Sequence, residues 1–93
     1  MPAPACRHVT IKGQVQGVGY RASMADEARR LGVNGWVRNR RDGSVEALIC
    51  GDDLAIANLI AWARRGPQAA QVDHLEIELG EGEFNGFALL PTL

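Results

Sequence analysis

The chain has 93 residues, of which 46% are hydrophobic and 23% charged, with a formal net charge of −1. This length supports one domain of residues 1–93, and a domain of this size buries roughly 60–70% of its unfolded surface, enough for a core without metal or disulfide support. The near-neutral balance excludes a whole-molecule attraction to nucleic acid or to a membrane surface, and no apolar stretch is long enough to span a bilayer or serve as a secretory leader.

Charge is unevenly placed. Eight basic side chains against two acidic ones, Asp26 and Glu27, fall within residues 7–41, whereas Arg64 and Arg65 face nine acids in the remainder. The first half therefore favours a small anion. Cys6 and Cys50 have neither metal-ligand nor redox spacing, so the expectation is a cytoplasmic protein with both thiols reduced and Cys50 acting as a small core hydrophobe.

Residues 1–6 are small and proline-containing and read as a loose terminus. From Arg7 to Val15, Val9, Ile11 and Val15 alternate at strand period. Gly13-Gln14-Val15-Gln16-Gly17-Val18-Gly19-Tyr20-Arg21 then joins this strand to a helical pattern ending at Gly32, with Ala25, Ala28 and Leu31 on one face. Ser23 and Asp26 have capping-box spacing, although the helix can equally start at Arg21. Gly35 to Arg41 predicts a second strand with Val37 and Asn39 on one side and Trp36, Arg38 and Arg40 on the other. Asp42-Gly43 is a hairpin signal, and Ser44 to Cys50 returns as a third strand. A second helix starts at Gly51-Asp52-Asp53, carries the stripe Ile56, Leu59, Ile60 and Ala63, and stops at Gly66-Pro67. Val72 to Leu79 alternates with Leu75, Ile77 and Leu79 inward, and Phe84 to Leu90 is a last apolar strand. The order β-α-β-β-α-β plus a short terminal strand predicts an α+β, ferredoxin-like sandwich: two helices on one face of an antiparallel sheet.

The residues able to do chemistry are few. The backbone N–H groups of a glycine-rich turn running into a helix start form a concave donor surface for an anion, and Arg21 adds a planar, charged fork. The same turn also serves as a plain connection with one surface arginine. Asn39 has an amide that donates and accepts, so it can orient a water but cannot act as a base. Lys12 precedes the loop, so no nucleotide P-loop is present. His8 and His74 read as surface or rim residues, Asp52 and Asp53 as helix-start acids, and no cluster suggests a metal.

Gly13-x-Val15-Gln16-Gly17-Val18-x-Tyr20-Arg21 resembles the first signature of the acylphosphatases, and Gly35-Trp36-Val37-Arg38-Asn39-x-x-x-Gly43-x-Val45, followed by Gly51, resembles their second. The similarity runs from about Arg7 to Gly66 and more weakly through Val72 to Phe87. It implies a small hydrolase of the carboxyl–phosphate anhydride. Arg21 and the backbone of Gln16, Gly17, Val18, Gly19 and Tyr20 would bind the phosphate, and Asn39 would hold the attacking water. It implies no cofactor and a small-molecule acyl phosphate as the partner; the lack of a long exposed apolar pattern adds an expectation of a monomer, and the near-neutral charge one of no nucleic-acid or membrane partner. Tyr20 stands where many relatives carry Phe, Arg40 and Arg41 make the hairpin basic and could tune the acyl group preferred, and Leu90-Pro91-Thr92-Leu93 departs from an aromatic-ended last strand. Two other readings compete. One is the leading domain of the larger hydrogenase-maturation carbamoyltransferases, against which the length of 93 residues argues. The other is a non-catalytic anion-binding, regulatory or RNA-binding module. RNA binding by this sheet would want aromatics on the central strands, which Arg7–Val15 and Ser44–Cys50 lack.

Overall fold

The computed structural model describes residues 5–93. Its elements are β1 (Ala5–Gln14), α1 (Tyr20–Leu31), β2 (Asn34–Asn39), β3 (Val45–Gly51), α2 (Asp53–Ala63), β4 (Gln71–Leu79) and β5 (Phe87–Leu89). They form one five-stranded sheet in the order β4-β1-β3-β2-β5, under a layer of two helices. The ferredoxin-like α+β plan is the one expected, with one difference: β5 runs parallel to β2, so the sheet is mixed. Ala5 and Cys6 stand inside β1, not in a loose terminus; residues 1–4, the remainder of that expectation, lie outside the described residues.

The core follows from the alternation. Val9 and Ile11 of β1 and Val45, Ala47 and Ile49 of β3 point to the helices and pack on Met24, Ala25 and Ala28 of α1 and Ile56 and Leu59 of α2. Asp52 caps α2 by accepting from the Ala55 N–H at 2.8 Å, and α1 ends at Gly32 in a left-handed conformation. The expected capping box at Ser23 and Asp26 does not form. Ser23 lies inside α1, whose N-cap is Gly19, because the glycine turn delivers the chain into helix four residues earlier.

Two inward positions are corrected. Ile77 and Leu79 of β4 are 40% and 83% exposed, whereas Val72 and Leu75 pack against the core. The sheet places β4 at its edge, with α2 lying over β1 and β3 and α1 over β2 and β5, so the far half of β4 extends past the helix layer.

The other face of the sheet is not featureless. Cys6, Leu48 and Cys50 form a second buried cluster with Trp36 and Phe84 against it. The reduced-thiol expectation is overturned there: Cys6 and Cys50 are joined in a disulfide. The antiparallel register of β1 and β3 sets them directly opposite, with Cα atoms 4.1 Å apart, although 44 positions separate them in sequence. Beside them Glu46, a buried acid, accepts from Arg38 Nε at 2.7 Å, lies 2.5 Å from His8 Nε2, and has Arg40 Nη1 at 3.2 Å. Arg38 in turn lies over the Trp36 ring, 4.7 Å from its centroid.

The disulfide closes a long loop, and such a crosslink contributes about 2–4 kcal/mol. A reductant should therefore lower the melting temperature by about 10 °C or more in a calorimetric scan. Burial pushes the Glu46 carboxyl up, but hydrogen bonds from Arg38 and His8 outweigh it, and the group sits below its ordinary value of 4.5. A depressed folded-state pKa gives stability that is full above the unfolded value and lost as pH falls through the folded one. The melting temperature of wild type relative to Glu46→Gln should thus be constant near neutrality and shrink as pH drops below 4.5. A difference that persists unchanged at lower pH would remove the ion cluster as its source.

Candidate active site

Between the last residue of β1, Gln14, and the first of α1, Tyr20, the chain must convert strand to helix in five residues. Gly17 and Gly19 do this at φ 75° and 79°, a region costly for residues with a Cβ. Val15 is buried and anchors the start of the turn; Tyr20 is buried and anchors its end. Among the described residues, none of the backbone N–H groups from Gln16 to Tyr20 has a backbone or side-chain acceptor. Gly19 likewise caps α1 with no side-chain hydrogen bond. These donors stand at the positive end of a helix whose second residue is Arg21. Arg21 is half-buried, with no ion pair or hydrogen bond among the described residues.

Tyr20 contributes a backbone N–H to these donors but not its hydroxyl. The ring is buried against Trp62, centroids 5.4 Å apart, and the phenol donates to the Ala63 carbonyl at 2.7 Å. Burial pushes its pKa up, away from any proton-transfer role.

Asn39 is the last residue of β2, on the same side as the fully buried Val37. Its backbone is held on both flanks: it pairs with Val45 in β3, and its carbonyl accepts from the Leu93 N–H at 3.1 Å. Its side-chain Oδ1, by contrast, is buried without a hydrogen-bond partner. A buried, unpartnered amide oxygen costs free energy and in native proteins points to a missing polar partner. Loop and hairpin are linked directly by Gln16, whose Nε2 donates to the carbonyls of Arg40 at 2.7 Å and Ser44 at 2.8 Å.

The two arginines of the basic hairpin are placed differently from each other. The Arg40 guanidinium turns to Glu46 on the open face of the sheet, and Arg41 is exposed, its backbone N–H donating to the Leu93 carbonyl at 3.2 Å. Asp42 belongs to its turn, accepting from the backbone N–H and hydroxyl of Ser44 at 2.9 and 2.6 Å; those hydrogen bonds hold its carboxyl below the usual range. A cavity of about 340 Å³ lined by Lys12, Gly13, Asp42, Gly43 and Ser44 includes neither Arg21 nor Asn39. His74 sits with Lys12 around Glu76 at the sheet edge.

Two contacts were not foreseeable from the loop motif: the Gln16 side-chain bridge and the run of Leu90 to Leu93 along β2. In the latter, the Leu90 N–H donates to the Val37 carbonyl at 2.9 Å and the Leu93 N–H to that of Asn39. The final segment thus lies against the strand that carries Asn39, whatever its departure in sequence.

The fold is a small α+β sandwich in which a glycine turn with unpaired amides is tied through Gln16 to the hairpin that carries Asn39. The family model for acylphosphatase matches residues 7–89. An acylphosphatase of Thiobacillus denitrificans is 56% identical over 80 residues, covering 86% of this chain and 90% of the relative. One from Azoarcus sp. is 52% identical and covers 99% of both. The solved acylphosphatase of Coxiella burnetii superposes with a TM-score of 0.90 at 35% identity, covering 95% of this chain and 94% of that one. The chain belongs to the acylphosphatase family.

The Tyr20 hydroxyl is a stability element at the end of the glycine turn. Tyr20→Phe should cost about 1 kcal/mol, the usual value of a buried hydrogen bond, seen as a melting temperature a few degrees lower. An unchanged melting temperature would show that the Ala63 carbonyl loses nothing.

Proposed function

We infer that Arg21 and the amides of Gln16, Gly17, Val18, Gly19 and Tyr20 hold the phosphoryl group of an acyl phosphate while Asn39 aims the attacking water. The reaction class is the one that membership of the acylphosphatase family carries: hydrolysis of a carboxyl–phosphate anhydride to carboxylate and inorganic phosphate. The observation that carries the assignment of roles is the buried, unpartnered Oδ1 of Asn39 on a hairpin tied to the cradle. A water donating to that oxygen satisfies it and presents its own lone pair to phosphorus.

The chemistry needs little else. The water oxygen bonds to phosphorus as the bond from phosphorus to the acyl oxygen breaks; the electron pair leaves on an already stable carboxylate, and the water's protons stay on the product as dihydrogen phosphate, so no protein base is needed. The charge spread over the phosphoryl oxygens is met by fixed N–H dipoles and a guanidinium fork, which need not reorganise during the step. Holding water and phosphorus in line removes the entropic part of the barrier. No cofactor is required for any of these roles. A nucleic-acid partner is disfavoured, because on the open face of the sheet Cys6, Glu46, Leu48 and Cys50 are buried, the His8 ring is engaged by Glu46, and Arg38 lies over the Trp36 ring. A monomeric enzyme acting on small acyl phosphates completes the reading.

Phosphate release from benzoyl phosphate with excess chelator tests it. Arg21→Ala should lose about 100- to 1,000-fold or more in kcat/KM. Arg21→Lys should lose nearly as much, since a lysine lacks the fork. Asn39→Ala should abolish most turnover while inhibition by inorganic phosphate stays within a few-fold. Phosphate affinity falling in parallel with turnover in Asn39→Ala would overturn the water-orienting role.

A further inference from the structure

We propose that the Gln16 side chain is a positioning residue that sets the cradle against Asn39, acting on turnover through the hairpin and not through the phosphate. The proposal rests on the reading above. Gln16 is half-buried and has a single amide nitrogen with two protons, and both are used across the gap between the loop and the β2–β3 hairpin: one to Arg40 and one to Ser44. Those two residues form the neck of the hairpin. The Arg40 N–H donates to the Ser44 carbonyl at 2.9 Å, and the Gly43 N–H donates to the Arg40 carbonyl at 3.2 Å. Arg40 directly follows Asn39. The bridge therefore connects the first amide of the cradle to the residue next to the orienting amide.

The geometry separates two functions within one residue. The Gln16 backbone N–H belongs to the row of free donors, while its side chain points away from that row to the hairpin. Removing the side-chain donors leaves the remaining cradle amides, the start of α1 and Arg21 in place, since Gly17, Gly19 and the buried Tyr20 fix that turn by themselves. It also leaves both hairpin carbonyls with one backbone partner each, so the neck survives. What it releases is the relative placement of the two halves, and a misplacement of about 1 Å in a reacting pair can cost on the order of 100-fold in rate. An interaction that orients only the water should affect kcat and spare the affinity for phosphate.

Gln16→Met keeps the length of the side chain and removes both donors; Gln16→Asn keeps the donors but is one methylene short of reaching both carbonyls. Each is compared with wild type and Asn39→Ala for kcat on benzoyl phosphate, for the inhibition constant of inorganic phosphate, and for melting temperature. The expected result is a fall in kcat of about 30-fold or more in both Gln16 variants, with phosphate inhibition within about three-fold of wild type. A melting temperature well above that of the assay keeps loss of fold out of the comparison, and Gln16→Asn serves if Gln16→Met fails this condition. Unchanged kcat, or phosphate affinity lost in proportion to kcat, overturns the proposal. Its failure is distinct from that of the underlying reading. If Asn39→Ala loses turnover and keeps phosphate affinity while the Gln16 variants do not, only the bridge is refuted; if Asn39→Ala also loses phosphate affinity, the water-orienting role falls with it.

Discussion

The structure depends on a row of backbone donors that the fold leaves unpaired. Strands pair their N–H groups with neighbouring strands and a helix pairs all but those of its first turn, whereas the turn from β1 to α1, bent by two left-handed glycines, pairs none from Gln16 to Tyr20 among the described residues. Donors left without a partner in the chain at a helix start suit an anion. The residues around them fix the shape of the turn. Val15 and Tyr20 bury the two ends of the turn, the core under β1 and α1 fixes its span, and Arg21 supplies the one full charge.

Much of this arrangement was legible in the sequence, for a physical reason. Strand alternation and helix stripes report burial directly, so Val9, Ile11, Val37, Ile56 and Leu59 were placed in the core correctly. The loop and Asn39 lie where strand period gives way to turn signals, so local chemistry singled them out as candidates. Illegible features are those set by pairing between distant segments. The Cys6–Cys50 bond exists because of the β1–β3 register, which no spacing rule between positions 44 apart expresses. Ile77 and Leu79 alternate as a core strand would, yet strand order leaves β4 at an edge beyond the helices. Ser23 offered a cap of the right type, and a turn that reached helical geometry earlier made it unnecessary. Gln16 read as one more loop amide because its side-chain partners lie 24 and 28 residues away.

The two faces of the sheet divide the labour. The helix-covered face carries the large apolar core and, at one end, the candidate site. The open face is held by a different set of forces: a covalent crosslink, a small apolar cluster, and Glu46 collecting Arg38, Arg40 and His8. Cys6 lies eight residues before Gln14 on β1, about 26 Å away at the rise of an extended strand. Reinforcement at that end can change without touching the cradle. Arg40 shows how closely the two systems approach: its side chain belongs to the Glu46 cluster, and its carbonyl to the Gln16 bridge.

That division bears on how the protein would respond to acid. Neither an asparagine amide nor a ring of backbone N–H groups gains or loses a proton in the ordinary range, and a guanidinium remains charged throughout it. Such a site has no general base whose protonation would switch it off. Glu46 is different: it is buried and charged, and its pairing is lost when the carboxyl takes up a proton. Its cluster holds the side chains of β2 and β3 on the face opposite Asn39, within the same hairpin whose neck Gln16 grips. Under the proposed roles of Arg21 and Asn39, acid would act first on the frame around Glu46, and activity would fall as the hairpin loosens and not as a catalytic group titrates.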